Sequence, residues 1–182
     1  MHRAALIALL LLPSLAGATG VPERDGFTLE LSIGLGFMHV FPDEGDSSND
    51  VGMAPLSFSL GGFLNNRMAI MFRVSGVSNL EEVGGKDVLT YLTFAGVHVQ
   101  YWITDQFFVS GGPGIASLGS AETDNFFDTR TSDQGFGLGL RGGFSFANWE
   151  NHSLRVSLEL FPSFFENGTA MGEAINFEWQ WF

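Results

Sequence analysis

The chain has 182 residues and no cysteine, so neither disulfide bonds nor thiolate metal sites stabilise it. Its formal net charge of -12 argues against nucleic acid as a partner, because phosphates require a basic surface. It contains 24 glycines and 19 phenylalanines but only 8 lysines and arginines, which is unusual for a domain kept soluble by mixed surface charge.

The N-terminal residues, from Met1 to about Ala18, have the pattern of a secretory signal peptide. Arg3 gives a basic start, Ala4 to Leu12 is an unbroken apolar run, and Ala16-Gly17-Ala18 supplies small residues for cleavage. The apolar run is shorter than the roughly 20 residues that a membrane-spanning helix needs, which argues against a retained anchor helix. The sequence therefore predicts a signal peptide at 1–18 and one exported domain at 19–182.

Beyond the signal, apolar and polar residues alternate with a period of two, which indicates β-strands. Large apolar side chains share one face of each segment, and mainly small residues share the other. The eight segments are Phe27–Phe37, Leu56–Gly61, Met68–Ser75, Leu89–Tyr101, Phe107–Ala116, Gly135–Phe146, Ser153–Leu160 and Ile175–Phe182. Most have about the length of a tilted membrane-spanning strand, which needs about 9–11 residues. In the fifth segment Pro113 cannot donate to a ladder, so we expect a bulge or a local break there.

The connections between the segments alternate between long polar stretches and tight turns. The long ones are His39–Met53, Asn79–Lys86 and Gly119–Asp133, followed by a shorter one at Glu166–Thr169. The tight ones are Asn65–Arg67, Thr104-Asp105 and Ala147–Asn151. Bacterial barrels combine short periplasmic turns, longer extracellular loops and an even strand number. This rhythm predicts that both termini lie in the periplasm and that the acidic long loops are extracellular.

The polar face distinguishes a membrane barrel from a soluble lipocalin-like barrel. A lipocalin's polar face meets water and carries many lysines and glutamates. Here that face is mainly Gly, Ser, Thr and Ala, which suits the narrow interior of an eight-stranded barrel. The large Phe and Leu side chains then face lipid. The predicted fold class is all-β: an eight-stranded antiparallel up-and-down transmembrane β-barrel.

The few charged residues on the small-residue face balance one another. They are Glu30, Arg73, Arg141, Arg155, Glu159 and Glu178. Buried charges are tolerated when they are paired and hydrogen-bonded, so we predict a lumenal salt-bridge network with His98 nearby. The network is either a filled core or a gate or proton path. The filled core is favoured, because eight strands leave an interior just wide enough for side chains.

Aromatic residues near the segment ends suggest girdles at the two membrane interfaces, although strands are rich in aromatics in general. The girdle beside the periplasmic turns comprises Tyr101, Trp102, the aromatics of 144–149, Trp179 and Trp181. Phe37, Phe164 and Phe165 lie toward the other rim.

The last segment, Ile175–Phe182, alternates and stops on an aromatic residue, and it resembles the terminal strand of a bacterial outer-membrane barrel. From Gly26 to Phe182 the chain resembles the small outer-membrane barrel superfamily that includes the OmpA transmembrane domain and OmpX-like proteins. The resemblance implies a Gram-negative outer-membrane location and contacts with outer-membrane lipids and lipopolysaccharide. It also implies recognition of the C-terminal strand by the barrel-insertion machinery. One departure is that Phe182 and Trp181 have opposite parity, which leaves the terminal register open.

Some similar small barrels are enzymes that act on lipid A through His and Ser near the outer rim. His39 opens the first loop and could form such a site with Ser47 or Asp43. His98 faces the lumen, and His152 lies at a periplasmic turn. A surface or structural role is the better explanation for each histidine, so we expect no enzymatic activity.

The first loop, Pro42–Asp50, is acidic but lacks the spacing of a calcium-binding loop. Acidic loops beside lipopolysaccharide would gather divalent cations without a dedicated site, so we predict neither a cofactor nor a resident metal. We expect a structural role, or an interaction of the loops with an unknown extracellular partner. One alternative is a narrow passage or binding site for ions or a small hydrophobic solute, opening near Pro113. The other is lipid A modification.

Overall fold

The computed structural model describes residues 24–45, 47–83, 85–122 and 129–182, so the predicted signal peptide lies outside the described residues. The described elements are the strands β1 (Phe27–Pro42), β2 (Ser48–Asn65), β3 (Met68–Val83), β4 (Lys86–Trp102), β5 (Phe107–Glu122), β6 (Thr129–Asn148), β7 (His152–Phe165) and β8 (Gly168–Trp181). Within this part of the chain, no helix is long and apolar enough to cross a membrane.

The sheet is a closed barrel in which each strand pairs antiparallel with the next, and β1 also pairs with β8. Leu29 lies opposite Trp181 at one end of this closing pair, and Pro42 lies opposite Gly168 at the other. Closure leaves no edge strand with unpaired N–H and C=O groups, which lipid could not satisfy. The predicted eight-stranded up-and-down barrel is confirmed.

We call the end of the barrel that carries Arg24 and Phe182 the terminal end, and the opposite end the distal end. The strands are 14 to 20 residues long, well beyond the 9–11 that a bilayer requires. At the distal end β1 and β2 stay paired as far as Val40 and Ser48. The prediction of a long loop over 39–53 is therefore wrong for most of its length, and only 43–47 connects the two strands.

The same correction applies to the next two predicted loops. β3 and β4 remain paired as far as Val83 and Lys86, so the predicted loop at 79–86 is almost entirely strand. β5 and β6 pair as far as Ala121 and Thr129, and 123–128 lies outside the described residues. In these stretches charged and amide residues interrupt the alternation, so the pattern that marks a strand is lost although the backbone ladder continues. Asn49, Asp50, Glu81 and Glu82 are such residues, and all four lie within the paired strands.

The large apolar side chains point outward, where they are exposed along the whole circumference. Leu35, Ile115 and Leu158 are 63%, 64% and 62% exposed, whereas neighbours of opposite parity are buried. In β2 the alternation shifts at Pro55 and Leu56, which are both exposed, and the register with β1 shifts at the same place. A bulge in β2 therefore keeps Ala54 and Ser57 both facing inward.

At Pro113 the strand is straight rather than bulged. Pro113 lies opposite Leu138 in a regular β5–β6 ladder. On the other side the β4–β5 pairing passes from Gly96–Gly114 to Val99–Gly111 without a change of register. The missing N–H therefore causes a local break in one ladder and no bulge.

The lumen is filled by two apolar layers. The distal layer consists of Met38, Ala54, Val77, Leu92, Phe94, Phe161, Ala170 and Ala174. The terminal layer consists of Ala69, Met71, Trp102 and Phe108, with Phe63 and Phe182 packed against it. The prediction that Trp102 lies in an interfacial girdle is wrong. Its side chain is 1% exposed and points inward, with the same parity as Gln100. Phe165 likewise packs against the distal layer rather than lying in the opposite girdle.

Inward-facing glycines make room for the rings of these layers. An ideal Cβ added to Gly172 would lie 2.1 Å from two atoms of the Phe161 ring, and one added to Gly143 would lie 2.5 Å from the Phe108 ring. A ring and an alanine cannot occupy these positions together at interior packing density. The glycine richness seen in the sequence is thus partly explained by the aromatic filling of the lumen.

Candidate functional site in the barrel lumen

Between the two apolar layers lies a layer of charged residues, which we call the charged layer. Its position follows from strand order: on β3 the inward side chain of Arg73 lies between Met71 of the terminal layer and Val77 of the distal layer. The six charged residues singled out from the sequence all lie in this layer, on β1, β3, β6, β7 and β8.

Glu30 is the centre of the charged layer. Its side chain is 0% exposed and accepts hydrogen bonds from three guanidinium groups on three other strands. Arg73 Nη1 donates to Glu30 Oε1 at 2.6 Å, and Arg141 Nη2 donates to Oε2 at 3.1 Å. Arg141 Nη1 and Arg155 Nη2 also donate to this carboxylate. Three positive groups therefore compensate one buried carboxylate, which leaves positive charge for the other two glutamates.

Glu159 and Arg73 form a two-point contact. Arg73 Nε donates to Glu159 Oε1 at 2.7 Å, and Arg73 Nη2 donates to Oε2 at 2.6 Å. Ser75 Oγ and Asn176 Nδ2 add hydrogen bonds to the same carboxylate at 2.9 and 3.0 Å. Such fork-to-fork pairs fix geometry as well as charge.

Glu178 completes the charge balance on β8. Arg141 Nη1 lies 3.1 Å from its Oε1, and Arg155 Nη2 lies 2.8 Å from its Oε2. Ser157 Oγ also donates to Glu178 Oε1. The carboxylate thus ties β6 and β7 to β8 from inside the barrel.

Neutral residues that the sequence reasoning did not select take part in the network. Arg141 Nη2 donates to Gln100 Oε1 at 2.6 Å, and Arg155 Nη1 donates to Gln180 Oε1. The ring of Phe108 lies 4.2 Å from the guanidinium carbon of Arg155, within cation–π range. Inward parity was the signal for all three: Gln100 shares it with His98, Gln180 with Glu178, and Phe108 with the small residues of β5.

The three histidines of the described strands, His39, His98 and His152, have different surroundings. His98 is buried, and its Nδ1 lies 3.1 Å from Ser110 Oγ. His152 stacks on Trp149 at 4.6 Å, beside the terminal-end turn. His39 faces outward, with Nδ1 2.7 Å from Asn49 Oδ1 and Nε2 3.8 Å from Glu173. The partners of His39 are therefore an amide and a carboxylate rather than the predicted Ser47 or Asp43.

Arg24, just before β1, covers the terminal layer. Its guanidinium lies 4.6 Å from the centre of the Trp102 ring and 5.7 Å from that of Phe182. Nη2 donates to the backbone carbonyl of Asp105 at 2.6 Å. Burial lowers the pKa of Arg24 to about 10, an effect that the nearby Asp105 carboxylate partly opposes. The group stays charged at neutral pH and closes this end of the lumen.

In the described part of the chain, no group of three or more His, Asp or Glu side chains is placed to hold a metal ion. The carboxylates of the charged layer are engaged by arginines, so their chemistry is that of a compensated ion network. What this network can do is hold five strands together across the lumen.

A closed barrel with a lipid-facing apolar exterior and a filled, charge-compensated interior defines an integral outer-membrane β-barrel protein. The sequence matches a family model described as "Outer membrane protein beta-barrel domain" over residues 4–178, and the chain belongs to that family. No curated protein sequence matches the chain significantly.

Two solved structures illustrate the likeness. One is Ail, the attachment invasion locus protein of Yersinia pestis, in a crystal structure with the heparin analogue sucrose octasulfate. Its TM-score is 0.62 at 13% identity, and the match covers 85% of this chain and 99% of Ail. The other is Neisserial surface protein A, with a TM-score of 0.60 at 14% identity. That match covers 86% of this chain and 96% of the Neisserial protein. At these identities the likeness is one of fold.

Proposed function

We propose that the protein is a non-conducting structural barrel of the outer membrane that meets its partners at an acidic distal end. The observation that carries this proposal is the filling of the lumen by successive layers. An ion or solute entering at the distal end would have to displace the distal layer, then the charged layer, then the terminal layer beneath Arg24.

The contacts of the charged layer support a structural role over a gate. The side chains of Glu30, Arg73 and Arg155 are 0% exposed, and each is held by at least two partners from other strands. A gate needs an alternative arrangement of comparable energy. Opening the lumen would separate these buried ion pairs, and a buried charge left without its partner costs about 3–5 kcal/mol, which favours the filled state.

The distal end favours an interaction role. The connection 43–47 carries Asp43, Glu44 and Asp46 without a lysine or arginine, and Glu81, Glu82 and Glu166 are exposed at the same end. This end would repel a polyanion of the kind bound to Ail. We therefore expect a cationic partner, or lipopolysaccharide phosphates bridged by divalent cations held loosely between carboxylates.

Orientation is part of the proposal: the distal end faces the cell exterior and both termini face the periplasm. The chain has no cysteine, so single cysteines report sidedness without background. Ser47→Cys at the distal end should react on intact cells with a bulky maleimide that cannot cross the outer membrane. Asn66→Cys, at the β2–β3 turn, should react only after the membrane is opened. The reverse result would invert the orientation.

Conductance in planar bilayers tests the non-conducting role. The purified barrel is expected to give no single-channel steps, whereas steps that scale with protein concentration would establish a passage. We also infer that the protein is not an enzyme, because the contacts of His39 include no hydroxyl, and the hydroxyl beside His98, that of Ser110, is buried in the filled lumen. Mass analysis of lipid A with and without the gene would reveal a modification if this is wrong.

A further inference from the structure

A cavity of about 250 Å³ opens at the distal end of the barrel. Val40 of β1 and Leu118 of β5 both line it. These strands are four apart in the closed order of eight, so a cavity that touches both lies inside the mouth of the lumen and not on the lipid-facing surface. We call it the distal cup.

The wall of the distal cup is apolar and fixed. Val40, Leu118 and Phe165 are partly buried and pack against the distal layer, which forms the floor. The backbone N–H of Asp43 donates to the carbonyl of Asn167 at 3.1 Å, so the β1–β2 and β7–β8 turns are joined beside the cup. The cup is therefore held by packing and by a backbone hydrogen bond.

Polar groups lie at one side of this apolar wall. Asp133 lines the cup and is exposed, and its backbone lies opposite Leu118 in the β5–β6 ladder. Asn167 and Thr169 also line it. The adjoining turn residues Asp43, Glu44 and Glu166 add negative charge beside the opening.

The geometry points to a binding site for a small organic cation with a single-ring or similarly compact apolar body. Apolar cavities of about 150 Å³ admit a benzene molecule, so a cup of about 250 Å³ accommodates one ring and a short chain. The ring would bury apolar surface against Val40, Leu118 and Phe165. Its ammonium group would lie near the Asp133 carboxylate, and the Phe165 ring of the wall also favours a cation.

This inference rests on the proposed function only in taking the acidic distal end as the interaction face. It goes further by naming a cavity, the chemistry of its occupant and the carboxylate that selects the charge. It requires no passage through the barrel, because the distal layer forms the floor of the cup.

The test is a titration of the purified, folded protein in zwitterionic micelles with 2-phenylethylammonium, followed by methyl NMR. We expect saturable shifts of the Val40 and Leu118 methyl signals, while the lipid-facing Leu158, 62% exposed, stays unshifted. The neutral isostere 2-phenylethanol should bind about fivefold more weakly, the size expected for one exposed ion contact. Equal shifts at Leu158 would mean partition into the micelle and would overturn the site.

Single substitutions separate the contribution of the Asp133 carboxylate to binding from that of the apolar cup. Asp133→Asn should weaken the ammonium probe about fivefold and leave the neutral probe unchanged. Glu150→Gln removes one carboxylate from an exposed turn at the terminal end and should change neither. Leu118→Trp should fill the cup and abolish both. Unchanged affinity in Asp133→Asn would refute a cation site, and this variant decides the matter if Leu118→Trp does not fold.

The outcomes for the cup and for the proposed function are distinguishable. Absence of saturable binding in a barrel that does not conduct would refute the cup alone. Saturable binding in a barrel that conducts would refute the non-conducting role alone.

Discussion

Arg73 of β3 and Glu159 of β7 are joined by two hydrogen bonds, 2.7 and 2.6 Å long, across the lumen and 86 positions apart in sequence. The contact bridges strands that are four apart in the closed sheet, so the backbone ladder cannot make this connection. The charged layer therefore supplies cross-barrel ties that the hydrogen-bonded wall lacks.

Glu159→Gln should lower the free energy of unfolding by about 3–5 kcal/mol, because it leaves the Arg73 guanidinium buried with less than its full compensation. Urea titration in detergent, followed by the gel shift between folded and heated protein, measures the loss. The double variant Arg73→Met/Glu159→Met should lose less than the sum of the losses in Arg73→Met and Glu159→Met measured singly, since each single variant leaves a buried charge without this partner and the double variant does not. Additive losses would show that the two side chains are energetically independent.

Arg141→Met tests the other half of the layer. It removes partners of both Glu30 and Glu178, and we expect a loss of about 3–5 kcal/mol in the same titration. Arg67→Met is the control, because Arg67 is exposed in the β2–β3 turn and should change stability by less than about 0.5 kcal/mol. Tolerance of Arg141→Met would mean that water enters the lumen and solvates the carboxylates.

Gly172→Ala tests the packing of the distal layer. The new Cβ would overlap the Phe161 ring, and we expect a loss of about 1–3 kcal/mol from overpacking. Adding Phe161→Leu should recover part of that loss by vacating the ring's position. Gly142→Ala is the matched control, because a Cβ there would meet only one backbone atom, at 3.9 Å. A neutral Gly172→Ala would show that the ring has room to move.

The sequence predicted the barrel because lipid imposes alternation on every strand that crosses it. The inward charges were identifiable for the same reason: Glu30 and Arg73 stand among small residues of one parity. Trp102 and Phe165 were misplaced because an aromatic at a strand end is compatible with either face until its neighbours are known. Strand extension to Val83 was not predictable, since Asn79, Glu81 and Glu82 interrupt the alternation and have the composition of a polar loop.

Each layer should keep the barrel closed to ions when another layer is disturbed. In particular, the lumen should stay closed when the terminal layer is disturbed. Trp102→Ala removes the largest fully buried side chain of the chain's described part, yet the charged layer remains below it. We expect no single-channel steps from this variant in planar bilayers, together with a stability loss of about 3–5 kcal/mol. Conductance in Trp102→Ala would show that the terminal layer alone seals the lumen.

Phe182 is turned into the barrel, which explains why its parity differs from that of the lipid-facing Trp181. Its ring lies 5.9 Å from the Phe63 ring, and it packs on the terminal layer beneath Arg24. Phe182→Ala should therefore lower the free energy of unfolding by about 2 kcal/mol, somewhat below the cost of truncating a fully buried phenylalanine. Phe182→Leu should retain most of the stability, because an apolar side chain still covers the layer. If Phe182→Ala unfolds at the same urea concentration as the parent, the ring does not close the lumen and the terminal layer is sealed by Trp102 and Arg24 alone.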